Sequence, residues 1–405
     1  MNAKQAKYPQ LRFPEFTDPW EQRKLGELGK IYTGNTPKTS DLDNWTDNKE
    51  GHIWITPTDI DKLIMSDSDR HLSEKGWFKA RKIPENSVLI TSIASIGKNA
   101  INAVPVAFNQ QINAIVPEKD DSYFILSAMI KDTARFTSVA GQTATAIINK
   151  TTFEKFEIAT PSYEEQQKIG SFFKQLDNTI TLQQRKLAKL KKLKQGYLQK
   201  MFPKNGSKFP QLRFAGFADA WEQRQLLELT ALFSGLTYSP KDIQKSGTLV
   251  LRSSNIQNNE IVDADNVFVN NDVVNSKNIQ KNDVIVVVRN GSRQLIGKHA
   301  LVKQEMKNTV IGAFMTGLRG SNGPFINTLL STDLFKSEVH KSLGATINQI
   351  TGKDFKLMKF FSPKTAEQNI IGQLFINIDQ LIASNQRKLE KLQELKKGYL
   401  QKMFC

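Results

Sequence analysis

A chain that contains the same long sentence twice must fold as two related units or not fold independently at all, and self-comparison therefore comes first. Residues 10–23 read QLRFPEFTDPWEQR and residues 211–224 read QLRFAGFADAWEQR, identical at ten of fourteen positions and offset by 201. Residues 184–202, QRKLAKLKKLKQGYLQKMF, return at 386–404 as QRKLEKLQELKKGYLQKMF, identical at fifteen of nineteen and offset by 202. Between these frames the copies agree only sporadically: GHIWITPTDI (51–60) corresponds to GTLVLRSSNI (247–256), and SIGKNAI (95–101) to LIGKHAL (295–301). The 405 residues are one scaffold of roughly 200 residues duplicated around a variable insert in each copy. Pro203, Asn205 and Gly206 mark the break between copies.

The inserts read as α/β. IPENSVLITSIAS (83–95) and IQKNDVIVVVRNGS (279–292) each run from a turn into a β-rich stretch and then into a Gly/Ser loop. Helical signals are scarcer: residues 122–136 and 325–339 each carry apolar residues at roughly helical spacing.

Each copy closes with a long helix. Pro161 and Ser162 open the first, with Ser162 and Glu165 spaced as a capping box. Phe173, Leu176, Ile180, Leu187, Leu190, Tyr197 and Met201 fall on heptad a and d positions, interrupted by Gln183 and Lys194. Phe375, Ile378, Ile382, Leu389, Leu392, Tyr399 and Met403 repeat the stripe, interrupted by Asn385 and Lys396. A helix of about 37 residues is about 55 Å long and cannot bury such a stripe alone. Packing the two stripes on each other, antiparallel because a whole insert separates the helices, is the economical solution. The fold class expected is α+β: two tandem α/β domains separated by two long helices that pair as an antiparallel coiled coil, with an internal pseudo-two-fold repeat. The divisions expected are 1–160, 161–202, 203–361 and 362–405.

Chemistry of bond making is poorly served. The single cysteine, Cys405, precludes an internal disulfide and a thiolate zinc cluster. His52, His71, His299 and His340 are too scattered for a metal motif and read as surface residues. GSRQLIGK (291–298) resembles a P-loop but has five residues between its glycines and His299 in place of Ser or Thr. Asp18-Pro19-Trp20 approaches a methyltransferase tetrapeptide, yet the repeat has Asp219-Ala220-Trp221, and a packed tryptophan after a turn is the plainer reading. The triplets Asp47-Asn48-Lys49 and Asp354-Phe355-Lys356 fit a nuclease D-x-K pattern without an acidic cluster to support them. VIVVV (284–288) is far too short to span a membrane, and MNAKQAKYPQ lacks a signal-peptide core, so a cytoplasmic protein without a membrane partner is expected.

Charge points elsewhere. Lys and Arg total 56 against 40 Asp and Glu, a net +16, which suits a polyanion. No acidic residue lies between Asp177 and Asp219, while Arg185, Lys186, Lys189, Lys191, Lys192, Lys194, Lys200, Lys204, Lys208 and Arg213 give +10. A lysine-rich helix can be merely a solvated face; it can equally be a track for DNA phosphates. Polar loops follow candidate strands at matching places in both inserts: Asn35 and Thr36 in TGNTPK, Thr56 and Thr58 in ITPTD, Ser95 in SIASIGK, Asn109 and Gln110 in AFNQQ; then Arg252, Ser253 and Asn255 in LRSSN, and Arg289, Asn290, Ser292 and Arg293 in VRNGSR. Such side chains read base edges, although polar loops also cover most protein surfaces. Matching positions with different letters are what two domains reading different sequences would need.

Taken together, LRFPEF…WEQRKLGEL, YTGNTPK…WITPTDI, SIGKNAI…FNQQINAI, and the helix entries PSYEEQQKIGSFFKQLD (161–177) and SPKTAEQNIIGQLFINID (362–379) resemble the specificity subunit of type I restriction-modification enzymes. The second copy departs in AEQNII for EEQQKI and VIGAFMTGL for FNQQINAI. The resemblance implies a non-catalytic subunit that binds double-stranded DNA, two recognition domains each reading half of a bipartite asymmetric site, and helices acting as a ruler. It implies two adenine-N6 methyltransferase subunits using S-adenosylmethionine and two ATP-dependent, Mg-using restriction/translocase subunits as partners, with no cofactor in this chain. Phosphate contacts are expected from Lys38, Lys98, Lys298 and the central helix. A stand-alone DNA-binding regulator and a coiled-coil scaffold remain open on the residues alone.

Overall fold

A computed structural model of the chain describes residues 8–140, 146–204, 206–343 and 348–405; Asn205, one of the break markers, lies outside them. The chain forms two compact units, Met1–Gln184 with Arg387–Cys405, and Arg185–Gln386.

In the first unit the strand Glu21–Lys24 pairs antiparallel with Glu157–Thr160, bringing the two ends of the insert side by side. Between them lies a sheet ordered Gly29–Thr33, Ile112–Pro117, Val88–Thr91, Asn99–Asn102, Ile64–Met65, and a second sheet in which Val106–Phe108 runs parallel to His52–Ile55. Val88 and Ile90 face the helical layer with Phe124, whereas Leu89 faces the second sheet with Ile55 and Phe108. Burial on both faces explains a continuous apolar run in place of alternation. The second unit repeats the plan. Glu222–Gln225 pairs with Lys359–Ser362, Thr248–Leu251 runs parallel to Thr309–Ile311, and VIVVV divides into Val284, Val286 and Val288 on the helical side and Ile285 and Val287 on the other.

The stretches 122–136 and 325–339 are helical, each in two pieces. Asp132 ends Ser122–Lys131 and begins Thr133–Ser138, and Thr332, whose hydroxyl accepts from the Phe335 amide, separates Gly323–Leu330 from Asp333–Ser342. The histidines depart from a surface reading. His299 and His71 are buried, His52 is half-buried, and His340 alone is exposed.

The long helices span Tyr163–Lys200 and Thr365–Met403. In the first unit the Phe172 ring meets Tyr399 edge-on at 5.0 Å and Asp177 meets Lys396 at 2.6 Å, so the segments run antiparallel. In the second, Lys194 meets Asp379 at 2.5 Å, and Met201 shares a core with Ile371 and Phe375, again antiparallel. Every heptad residue of both stripes is buried or half-buried, and the polar interruptions Lys194 and Lys396 are the ones that hold carboxylates.

The helix ends leave the seam for the domain cores. Phe404 packs on Trp20, Phe124 and Phe173 at 5.4–5.9 Å, and Phe202 on Trp221 and Phe325 at 5.8 and 6.0 Å. Trp20 and Trp221 are thus the packed tryptophans that the plainer reading required. At the first helix entry Ser162 Oγ accepts from the Glu165 amide at 3.4 Å, but the Glu165 carboxylate does not return to Ser162. It takes a bidentate pair from Arg12 at 2.8 and 2.7 Å, and Glu367 takes the same pair from Arg213 at 2.8 Å. The LRF frames therefore fasten each domain to the start of its helix. Bidentate hydrogen bonding to Glu165 raises the affinity of Arg12 for its proton above the ordinary arginine value.

Candidate nucleic-acid interface

The loops singled out in the first insert converge. The Asn35 amide donates to Phe108 O at 3.0 Å, the Asn109 amide to Ile55 O at 2.8 Å, and Lys98 Nζ to Pro57 O at 2.9 Å. Gly34 makes this approach feasible: a Cβ there would stand 2.3 Å from the carbonyl oxygens of Phe108 and Asn109. Thr36 donates to Gln110 Oε1 and accepts from Asn109 Nδ2. Thr56 donates to Asp59 Oδ2 at 2.5 Å and lies 2.7 Å from the Thr58 hydroxyl. Lys38, Thr58, Ser95, Lys98 and Gln110 are exposed, and Thr36, Thr56 and Asn109 half-buried. Asn35 is a brace. Its Nδ2 donates to Lys79 O at 3.0 Å and its Oδ1 accepts from the Arg81 amide at 2.6 Å, so both ends of the amide serve the fold.

The second insert gathers its loops in the same way. Gly312 donates to Leu251 O at 2.8 Å, Leu236 to Ile311 O at 2.7 Å, and Asn290 Nδ2 to Ser253 Oγ at 3.2 Å. Gly235 plays the part of Gly34, with a hypothetical Cβ 2.0 Å from Gly312 O. Arg289, Ser292, Arg293 and Lys298 are exposed. One expected reader is corrected. Asn255 is fully buried, its Oδ1 accepting from the Arg252 amide at 2.9 Å and its Nδ2 donating to Ala264 O at 2.6 Å, so it shapes the loop and presents no edge. Arg252 is half-buried, and its Nη2 donates to Asp265 O at 2.6 Å and Asp265 Oδ2 at 2.5 Å. Arg293 also donates to Leu343 O at 3.3 Å.

The basic run divides similarly. Lys194 is committed to Asp379 in the seam and Arg213 to Glu367; the other eight cations are exposed.

Sequence reasoning missed a further strip in each unit. Ile148 donates to Ser92 O and Ile350 to Val288 O, both at 2.8 Å, and isolated bridges join Ile93 to Ile147 and Arg289 to Gln349. These segments lie far apart in the sequence and carry no strand pattern. Phe314, exposed beside Arg289, was also missed, although the departure of VIGAFMTGL from FNQQINAI signalled it.

Residues 17–192 and 218–394 each match the family described as type I restriction modification DNA specificity domain. The chain belongs to that family. The specificity subunit of type I restriction enzyme HindI from Haemophilus influenzae is 32% identical over 173 residues, 40% of this chain and only 37% of that protein. The MjaVIII specificity subunit from Methanocaldococcus jannaschii is 24% identical over 404 residues, 96% and 92% of the two chains. In fold, the crystal structure of a type I restriction-modification S subunit from M. genitalium matches with a TM-score of 0.70 at 14% identity, covering 98% of this chain and 99% of that one. Two specificity domains in tandem, each closed by a long helix, account for the duplicated sequence.

Proposed function

We propose that the chain is the non-catalytic DNA-reading subunit of a type I restriction-modification complex. The domains at 1–160 and 203–361 each bind one half of a bipartite asymmetric site, and the helices at 161–202 and 362–405 set the spacer and dock two adenine-N6 methyltransferase subunits. Methyl transfer from S-adenosylmethionine and ATP-driven, Mg-dependent cleavage fall to the methyltransferase and restriction subunits, in the cytoplasm. The observation that carries this reading is the recurrence of one loop cluster on two near-identical frames with different side chains: Asn109 and Gln111 in one, Gly312 and Phe314 in the other. A shared scaffold with exchanged letters is what independent reading of two half-sites requires. Lys38, Lys98, Lys298 and the exposed lysines of the central helix supply phosphate contacts.

Replacing residues 24–160 with the insert of another such subunit is expected to change one half-site and leave the other half-site and the spacer intact, read by sequencing methylated adenines. Changes in both half-sites would refute two independent readers. Specific binding that reaches full strength without a methyltransferase subunit would favour a stand-alone regulator.

A further inference from the structure

We infer that Arg289 and Phe314 act as one contact, reading a guanine and the 5-methyl group of a thymine in the adjoining base pair within the half-site bound by the second unit; this rests on the recognition role proposed above.

Phe314 is the last residue of the three-residue loop between Thr309–Ile311 and Met315–Arg319, 55% exposed. The residues that flank the loop, Ile311 and Met315, are buried, so the loop is anchored on both sides while the ring stands largely in solvent. The Arg289 guanidinium lies over that ring at 5.1 Å, and the Arg289 amide donates to Phe314 O at 3.2 Å. Gln349 bridges Arg289 from the other side, and Asn290 next in sequence is tied to Ser253. The guanidinium thus keeps its hydrogen-bonding fork while the aromatic face restricts where it swings.

The ring is not a requirement of the fold. Ile311 pairs with Leu251 as Phe108 pairs with Ile55, so Gly312–Phe314 occupies the place of Asn109–Gln111, and the first unit closes the same loop with three amides. A ring held beside a cation, where polar residues serve the fold equally, leaves an apolar edge available to a partner. In the major groove the apolar group that DNA offers is the thymine methyl, and guanine offers the paired acceptors N7 and O6 that an arginine fork fits. A cation and a ring edge side by side match guanine and thymine in successive pairs.

The test uses the full chain with a methyltransferase subunit, its site first mapped from methylated adenines. Duplexes then replace each thymine of the second half-site, one at a time, with deoxyuridine, which lacks only the methyl. The wild type should lose about fourfold in affinity at one thymine beside a guanine, the worth of one buried methyl. Phe314→Ala should bind the thymine duplex about as weakly as the wild type binds uracil and lose nothing further on substitution. Phe314→Leu should keep the sensitivity, and Arg289→Ala should relax the choice of the neighbouring guanine. Specific binding that is indifferent to uracil throughout, or sensitivity that survives Phe314→Ala, would overturn the methyl contact while leaving the recognition role standing. Absence of specific binding by the wild type would overturn both.

Discussion

An imidazole enclosed without a counter-charge resists protonation, and His299 is held in that state. Its Nδ1 lies 3.0 Å from Gly297 O and its Nε2 3.0 Å from Ser331 Oγ, whose own hydroxyl donates to Asn327 O at 2.9 Å. Burial is the main cause that pushes its pKa down to about 4, with Lys194 and Lys336 acting in the same direction against the Gly297 hydrogen bond. The unfolded chain takes up this proton near pH 6.5 and the folded chain only near 4. The stability His299 contributes is therefore complete above about 6.5 and drains away as the pH falls to about 4, by up to about 3 kcal/mol. Urea unfolding at pH 7 and pH 4.5 should show the loss, and His299→Gln, which can also donate and accept, should lose less over the same interval. Parallel losses in the two proteins would exonerate the histidine. This burial was legible in part: Asn99 occupies the same place in the first copy, is likewise buried, and donates to Gly97 O at 2.8 Å. Gly97 and Gly297, at φ of +90° and +85°, form the left-handed turn before each strand, which gives the IGK recurrence a structural origin in place of nucleotide binding. The exposed face of the site was less legible, because Asn255 looks like a reader until Ala264 O is seen to take its amide.

Along the long helices, the heptad pattern announced the seam but not what its polar members do. Lys396 reaches Asp177 at 2.6 Å, and Asp177 also accepts from the Tyr123 hydroxyl at 2.9 Å; burial, followed by the Asp177 charge, raises the tyrosine well above its ordinary pKa. Sequence distance hid this pairing, since 219 residues separate the two partners. Removing one member strands the other. Lys396→Ala should cost about 3–5 kcal/mol, because the carboxylate, 7% exposed, keeps only one donor. Asp177→Leu combined with Lys396→Leu should recover most of that loss. Urea midpoints of the single and double variants decide it: a double variant as weak as Lys396→Ala would mean that the pair contributes net stability of its own. The split of 122–136 at Asp132 is invisible to apolar spacing, which continues through a break made at one residue by its backbone conformation.

At the scale of the whole molecule, each long helix gives its first half to one compact unit and its second half to the other. The duplicated frames made two units and two helices readable from the sequence; which half-helix joins which domain core depended on the aromatic contacts of Phe202 and Phe404 at the chain positions where the heptads run out. If the helices measure the distance between readers, one added heptad in each, after Leu190 and after Leu392, keeps the seam in register and lengthens it by about 10 Å. At about 3.4 Å per base pair that is about three base pairs of spacer. DNA turns once in about ten base pairs, so the lengthened pair would also present one reader to a groove rotated by roughly a third of a turn. The expected result is a spacer longer by about one to three base pairs, weaker binding, and unchanged half-site sequences, because none of the loops proposed to read bases has been altered. Mapping methylated adenines with the lengthened chain reads all three at once: an unchanged spacer with retained methylation would mean that the helices dock partners without measuring DNA.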